Sequence, residues 1–233
     1  MLKNNLFFVA LLAAQCLSGC SSLAFDETDV SHLPAQALYV QGEMAMAKHS
    51  MSEATQYLEA LDVRFPFSPY MQQAQLGLIY AYYDLEQYDN ALDVANAYLG
   101  LHAHDKQASY VHYMRGLIQF ERDQSWFRQL IHREPGLHDL AHLRKAYDDF
   151  IVVTKQYPDS AYAADAIRRT IYIRNQLAES ELLAAKYYFR KHAYLAALNR
   201  LDYLAENFPG APQGQKALCL KHQAAAQLAL KKT

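Results

Sequence analysis

The sequence has few residues that break helices. Glycine and proline account for only eight and seven of its 233 residues. No stretch combines sustained polar–apolar alternation with β-branched residues, which argues against a fold built from strands. Between the scattered breakers, apolar residues recur at spacings of three and four, a pattern typical of helices. The sequence therefore predicts an all-α protein.

A strong charge of either sign is also missing. The formal net charge is −2, from 22 basic and 24 acidic residues. A balance this close to neutral argues against a nucleic-acid partner and against a polybasic membrane-binding patch. The sequence has no phosphate-binding glycine loop, no nucleophile elbow and no Cys–His arrangement. We therefore expect no enzyme activity and no cofactor.

The N-terminus has the pattern of an export signal. Lys3 provides a positive start, and an apolar run follows from Leu6 to Leu17. This run is shorter than the about 20 apolar residues that a transmembrane helix needs, so residues 1–19 are predicted to be a signal peptide. The segment ends in Leu17-Ser18-Gly19-Cys20, which resembles the lipobox of bacterial lipoproteins. The alternative is an ordinary signal peptide with a chance cysteine.

The lipobox resemblance implies a membrane anchor. In bacterial lipoproteins the signal is cut before the cysteine, so Cys20 would become an acylated N-terminus. Two or more acyl chains hold a protein stably at a membrane, at about 0.8 kcal/mol per buried CH₂. The residue after the cysteine is Ser21 and not Asp. By resemblance to the lipoprotein sorting rule, this implies the outer membrane of a Gram-negative cell, facing the periplasm. Residues 20–34 are expected to form this N-terminus and a flexible tether.

Cysteine is rare, with three in the chain. Acylation of Cys20 would leave Cys219 without a disulfide partner in the mature chain, although an oxidising periplasm would permit such a bond. Cys219 lies among Ala, Leu and Lys in a helical pattern. It is expected to be a buried, unreactive thiol.

A short pattern recurs along the rest of the chain. An alanine is followed twelve residues later by a proline, with an aromatic residue before the proline, at Ala54–Pro66, Ala146–Pro158 and Ala197–Pro209. Ala91 stands in the same register without the proline. A small residue permits two helices to cross closely, and a proline ends the second helix. Each such hairpin leaves an apolar face that only a neighbour can cover, so the hairpins are expected to stack.

These positions resemble the tetratricopeptide repeat. Gly42, Ala54 and Pro66 match the small, small and proline positions of that motif. The resemblance implies an α-solenoid of about ten helices, in five repeats, over residues 35–230. An insertion at residues 122–139 interrupts the third repeat. Its apolar residues Trp126 and Phe127 are expected either to pack on the stack or to contact a partner.

The boundary between the seventh and eighth helices is the weakest. No glycine or proline occurs from Ser160 to His192, so either two helices with a break near Asn175–Leu177 or one long helix would fit. We expect the break. The ten predicted helices span residues 35–48, 50–65, 69–85, 87–101, 106–122, 139–157, 160–175, 177–191, 193–207 and 211–230.

One pair of histidines has the spacing of metal ligands. His138-Asp139-Leu140-Ala141-His142 places two imidazoles one helical turn apart, but Asp139 stands where a zinc protease has its catalytic Glu, and no third ligand is evident. We therefore interpret this segment as an exposed helix start and expect no metal.

Several longer stretches go beyond the general repeat. They are Glu59 to Tyr70, Gln72-Gln73, Leu78 to Tyr83, Tyr113 to Leu117, Tyr157 to Ser160 and Ala196 to Arg200. Together they closely resemble the BamD family, the lipoprotein subunits of the outer-membrane β-barrel assembly machinery. The resemblance covers roughly residues 35–230, together with the lipobox.

The resemblance implies partners and sites. BamD proteins dock the barrel-forming subunit BamA, act with other Bam lipoproteins and help receive unfolded outer-membrane proteins. Arg200, with its neighbour Asn199, is the implied BamA contact; the alternative is a surface arginine paired within its own helix. An aromatic set is the implied substrate groove, comprising Tyr39, Phe67, Tyr70, Tyr80 and Tyr83. Two other functions stay open, a repeat scaffold for cell-wall synthesis or envelope division and an enzyme with its site in the insertion.

Overall fold

Every regular element in the part of the chain that the structure describes is a helix. The structure is a computed structural model that describes residues 30–129 and 140–230, with the side chains of residues 30–122 and 140–230. The predicted all-α class is confirmed. The helices are α1 (Ala35–Ala47), α2 (Met51–Arg64), α3 (Met71–Asp84), α4 (Tyr88–His102), α5 (Ala108–Gln129), α6 (Ala141–Gln156), α7 (Ala163–Arg190), α8 (Tyr194–Asn207) and α9 (Gly214–Leu230).

The helices stack as successive hairpins. Each helix packs against the next one in the chain, and α3 contacts both α1 and α5. Helix α7 likewise contacts α9. The contacts that skip one helix thus join odd-numbered helices, so the first helices of neighbouring hairpins share one face, as in a tetratricopeptide-like α-solenoid. The predicted fold class is confirmed.

Small residues lie where the paired helices cross most closely. A Cβ atom on Gly42 of α1 would lie 2.6 Å from Cδ2 of Leu58 on α2. On Gly116 of α5 it would lie 2.7 Å from Cε1 of the Phe150 ring on α6. Both separations are below any ordinary carbon contact, so a larger residue would force the helices apart. The four repeated alanines, Ala54, Ala91, Ala146 and Ala197, are fully buried, as the repeat pattern predicts.

In three of the hairpins, the first helix ends in the same kind of turn. His49, Glu86 and His192 follow α1, α3 and α7 with φ of 58°, 57° and 58°, the left-handed conformation that usually selects glycine at a helix end. In each turn the next residue donates its backbone N–H to the carbonyl five residues earlier. These bonds are Ser50 to Ala45 at 2.9 Å, Gln87 to Tyr82 at 2.8 Å and Ala193 to Tyr188 at 3.0 Å. One local geometry thus reverses the chain three times.

The predicted break at Asn175–Leu177 is wrong. A single helix of 28 residues, α7, runs from Ala163 to Arg190. Leu177 and Ala178, at the expected break, are 1% and 0% exposed, so this segment lies in the core rather than in a loop. The described ranges consequently hold nine helices where the sequence predicted ten.

Helix α5 also differs from its prediction. It continues to Gln129, well into the predicted insertion at residues 122–139. Cys20, His138 and the remainder of the insertion lie outside the described residues, as do the side chains of Trp126 and Phe127.

Candidate interaction surfaces

Helices α6, α7 and α8 meet at a buried carboxylate. The Glu181 side chain on α7 is only 4% exposed and accepts hydrogen bonds on both oxygens. Nη2 of Arg144, on α6, lies 2.8 Å from Oε1, and Nη1 of Arg200, on α8, lies 3.1 Å from Oε2. We call Arg144, Glu181, Arg200 and Tyr203 the arginine clamp. Burying a carboxylate without a cation beside it would destabilise the fold by several kcal/mol. The two guanidiniums offset this cost by pairing with the carboxylate.

Tyr203 orients the Arg144 side chain of the clamp. Nη1 of Arg144 donates to the Tyr203 hydroxyl at 2.8 Å, and the guanidinium lies 5.5 Å from the centroid of the same ring. Burial disfavours the charged form of Arg200. The Glu181 carboxylate and a hydrogen bond with Tyr188 outweigh this and raise the pKa of Arg200. Arg200 therefore stays charged in the clamp.

The predicted contact residues Arg200 and Asn199 face different neighbours. Arg200 pairs with Glu181 on another helix, so the alternative of a pair within its own helix is wrong for this contact. Nearly half of its side chain, 47%, remains exposed. Asn199 lines a depression of about 440 Å³ between α8 and α9, together with His192, Tyr194, Leu195 and Leu228. The two residues thus border two adjoining surfaces.

The predicted aromatic groove divides into two groups. Tyr39 of α1 stacks on Tyr70, just before α3, with ring centroids 5.3 Å apart and planes 19° apart. Phe67, held between Pro66 and Pro69, is fully exposed. Burial, together with the nearby Glu43 carboxylate, raises the pKa of Tyr39.

The second group lies further along α3, beside α5. Tyr80 is exposed and interacts electrostatically with Tyr110 of α5. Tyr83 packs against Tyr88 with ring centroids 6.4 Å apart. Burial raises the pKa of Tyr83, and Glu121 of α5 adds to the effect. These two tyrosines therefore belong to the face that α3 shares with α5.

A cluster between α5 and α7 was not found by sequence reasoning. The ring of Tyr113 stacks on Tyr162 at 5.0 Å, and its hydroxyl donates to Oδ2 of Asp165 at 2.8 Å. Nε of Arg169 donates to the same oxygen, while the guanidinium lies 5.4 Å from the centroid of the Phe120 ring. The contacts join residues up to 52 positions apart in the sequence, so no local sequence pattern predicts them.

Comparison with known proteins places the chain in a family. A family model described as "YfiO: Outer membrane lipoprotein" matches residues 31–233. The chain belongs to this family. It is 35% identical over 220 residues to the outer membrane protein assembly factor BamD of Vibrio cholerae, a match covering 94% of this chain and 90% of that protein. It is 31% identical to BamD of Haemophilus influenzae (95% and 84% covered) and 30% identical to that of Pasteurella multocida (96% and 85% covered). The resemblance to the BamD family is confirmed.

This YfiO-family chain has no evident metal site in the parts described. Residues 30–122 and 140–230 contain no group of three or more His, Cys, Asp or Glu side chains placed to hold an ion. Nδ1 of His142 lies 2.7 Å from Oε1 of Gln119, so this histidine has a structural partner on α5. None of the helices within these ranges is both long enough and apolar enough to cross a membrane.

The expectation for Cys219 is wrong. The thiol is exposed on α9, with only a long contact of 3.9 Å between its sulfur and Nε2 of Gln223. In α9, only Ala217 and Ala224 are buried. Among the described helices, α9 packs mainly against α8 and α7, and these contacts leave the Cys219 thiol exposed.

Proposed function

We propose that this YfiO-family protein is an outer-membrane protein assembly factor that binds BamA and other Bam lipoproteins and helps receive and insert unfolded outer-membrane proteins. The observation that carries the proposal is the similarity to curated BamD proteins over 90% of the length of the Vibrio cholerae relative. A stack of helical hairpins suits this function because its shared face offers an extended surface for protein segments. Depleting the protein from its native host should lower the amount of folded outer-membrane barrels while leaving periplasmic proteins unchanged.

The proposed location is the periplasmic face of the outer membrane, with the anchor at Cys20. The lipobox pattern supports it. Replacing Cys20 by Ser should move the protein from the membrane fraction to the soluble periplasmic fraction and abolish labelling by palmitate. Cys219→Ser is the matched control, because it removes the other cysteine of the mature chain and should leave both properties unchanged. Membrane retention of Cys20→Ser would contradict the proposal.

We place the BamA contact at Arg200 and Asn199. A charge-reversing Arg200→Glu variant would set a second carboxylate against buried Glu181, so loss of binding could follow from loss of structure. Arg200→Ala and Asn199→Ala are therefore the better tests, measured by the amount of BamA that co-purifies after mild detergent extraction. Lys221→Ala is the control, since it removes a cation paired with Asp202 at an exposed site on the same pair of helices. Unchanged co-purification with both Arg200→Ala and Asn199→Ala would refute this contact.

The proposed substrate groove comprises Tyr39, Phe67, Tyr70, Tyr80 and Tyr83. Phe67 is the most direct probe, because a fully exposed ring adds little to folding stability. We expect Phe67→Ala to reduce binding of a urea-unfolded outer-membrane barrel protein while the unfolding midpoint stays unchanged. Leu101→Ala, at another exposed apolar position, should bind as the wild type does. Equal binding by both variants would remove Phe67 from the groove.

A further inference from the structure

The arginine clamp holds more positive charge than its carboxylate requires. The Glu181 side chain faces two guanidiniums, so by formal charge these three groups carry one surplus positive charge. Asp148, one turn along α6 from Arg144, is a further carboxylate on which Arg144 acts electrostatically. Asp148 is exposed to water, so its charge is screened more strongly than that of buried Glu181. A site that only needed to neutralise Glu181 would require one arginine.

Both guanidiniums keep hydrogen-bonding capacity. A guanidinium has five N–H groups in a planar fork. The contacts of Arg144 are to Glu181 and Tyr203, and those of Arg200 are to Glu181 and Tyr188. The two side chains are 37% and 47% exposed. The two guanidiniums can therefore donate hydrogen bonds to a carboxylate of another protein while they keep their bonds to Glu181.

The clamp is also ordered before any partner arrives. A free surface arginine loses side-chain entropy when it binds, which offsets most of the gain from an exposed ion pair. Here Glu181 holds the guanidiniums of both Arg144 and Arg200, and the Tyr203 hydroxyl fixes the rotation of the Arg144 guanidinium. Much of that entropic cost is met on folding, so each contact with a partner retains more of its free energy.

We propose that Arg144 is a second contact residue for the protein partner of Arg200, and that Glu181 positions both arginines to bind a carboxylate on an acidic segment of that partner. The inference rests on the proposed function, since Arg200 is the contact expected from the family. It adds a residue on α6 and a buried carboxylate on α7 to a site otherwise confined to α8. The partner is specified by its chemistry as a protein segment bearing Asp or Glu.

The test uses the full-length lipoprotein in its native host, with BamA as the probe. Four variants are compared, Arg144→Ala, Arg200→Ala, Glu181→Gln and Tyr203→Phe, and Lys145→Ala is the control. The control removes an equal charge from the neighbouring exposed position of α6. Each variant is measured for BamA co-purified at low and high salt and for its thermal unfolding midpoint.

We expect Arg144→Ala and Arg200→Ala each to lower the affinity for BamA about tenfold, with a weaker salt dependence than the wild type. Glu181→Gln should lower the affinity about threefold although both arginines remain, because it removes the negative charge and replaces one of the two acceptor oxygens by an NH₂ group, which cannot accept from the guanidinium it faces. Tyr203→Phe keeps the ring and loses only the hydroxyl, so a twofold to threefold loss without a change in unfolding midpoint is expected. Lys145→Ala should bind as the wild type does.

The outcomes separate the two proposals. If Arg200→Ala binds weakly while Arg144→Ala and Tyr203→Phe bind normally, Arg144 is no contact and this inference is wrong, while the proposed function stands. If Arg200→Ala also binds normally, the BamA contact proposed at Arg200 fails as well. If Arg144→Ala does not fold, Tyr203→Phe decides, and normal binding by that variant refutes the role of Arg144.

Discussion

Acid should weaken the contact between α5 and α7 through Asp165. Burial opposes ionisation of this carboxyl, but hydrogen bonds from Arg169, Tyr113 and Arg168 outweigh burial and lower the pKa of Asp165 from 3.8 to about 2. In the unfolded chain the pKa returns to its ordinary value of about 3.9. The ionised carboxylate therefore stabilises the fold at neutral pH. That stabilisation is lost as the pH falls from about 4 through about 2.

The size of the effect follows from the same pKa values. At about 1.4 kcal/mol per pH unit, the lowered pKa corresponds to at most about 2.5 kcal/mol. The Asp165 side chain is 31% exposed, so screening by water reduces this to about 1–2 kcal/mol. We predict that Asp165→Asn lowers the free energy of unfolding by that amount at pH 7, and by about a third of it at pH 2.5.

Urea unfolding of both proteins at pH 7, 4, 3 and 2.5 measures this difference. Asp202→Asn is the control, because it breaks an ion pair whose two side chains are each 44% exposed. Its effect should stay within about 0.5 kcal/mol throughout. If the gap between wild type and Asp165→Asn is the same at pH 7 and pH 2.5, the substitution acts through shape rather than charge, and the reasoning fails.

Three further predictions concern the backbone and one thiol. Glu86→Gly should raise the free energy of unfolding by about 0.5–1 kcal/mol in urea denaturation, because its φ of 57° suits glycine; an unchanged midpoint would count against strain at this turn. Gly116→Ala should destabilise by about 2 kcal/mol or more, since its Cβ would lie 2.7 Å from the Phe150 ring, whereas Gly100→Ala, with nothing within 4 Å, should stabilise by about 0.5 kcal/mol. Equal effects of these two substitutions would contradict the packing argument. Cys219 should react with a maleimide in the folded protein at close to the rate of the urea-unfolded chain, and strong protection would contradict its exposure.

The hairpins were predictable because their signals are local. The small residues at Gly42 and Ala54, and the proline that follows at Pro66, repeat at a fixed spacing and act over one or two turns. The break in α7 was predicted wrongly because the chain from Ser160 to His192 contains no breaker. In such a stretch a junction and a continuous buried helix have the same apolar period. Burial of Leu177 and Ala178 places this segment in a continuous helix rather than in a loop. Burial depends on neighbouring helices that the local sequence pattern does not specify.

The candidate site was predictable only in part. Arg200 came from the family resemblance, but its partner Glu181 lies 19 residues away and Arg144 lies 37 residues from Glu181. No helical period links residues at such distances, so the clamp becomes visible only when three helices are packed together. The same limit explains Cys219. Its apolar surroundings in the sequence suggested burial, but a helix at the edge of the described stack has a neighbour on one side only.

The length of α7 has a mechanical consequence. At about 1.5 Å per residue, the 28 residues of this helix span about 42 Å, and about 24 Å separates Asp165 near its start from Glu181 in its last third. A stiff rod converts a small rotation at one end into a displacement at the other. A tilt of about 5° imposed where Glu181 sits would shift the Asp165 end by about 2 Å, enough to part a hydrogen bond. A tilt of α7 imposed at Glu181 would therefore alter the contacts of Tyr113 with Asp165 and Tyr162.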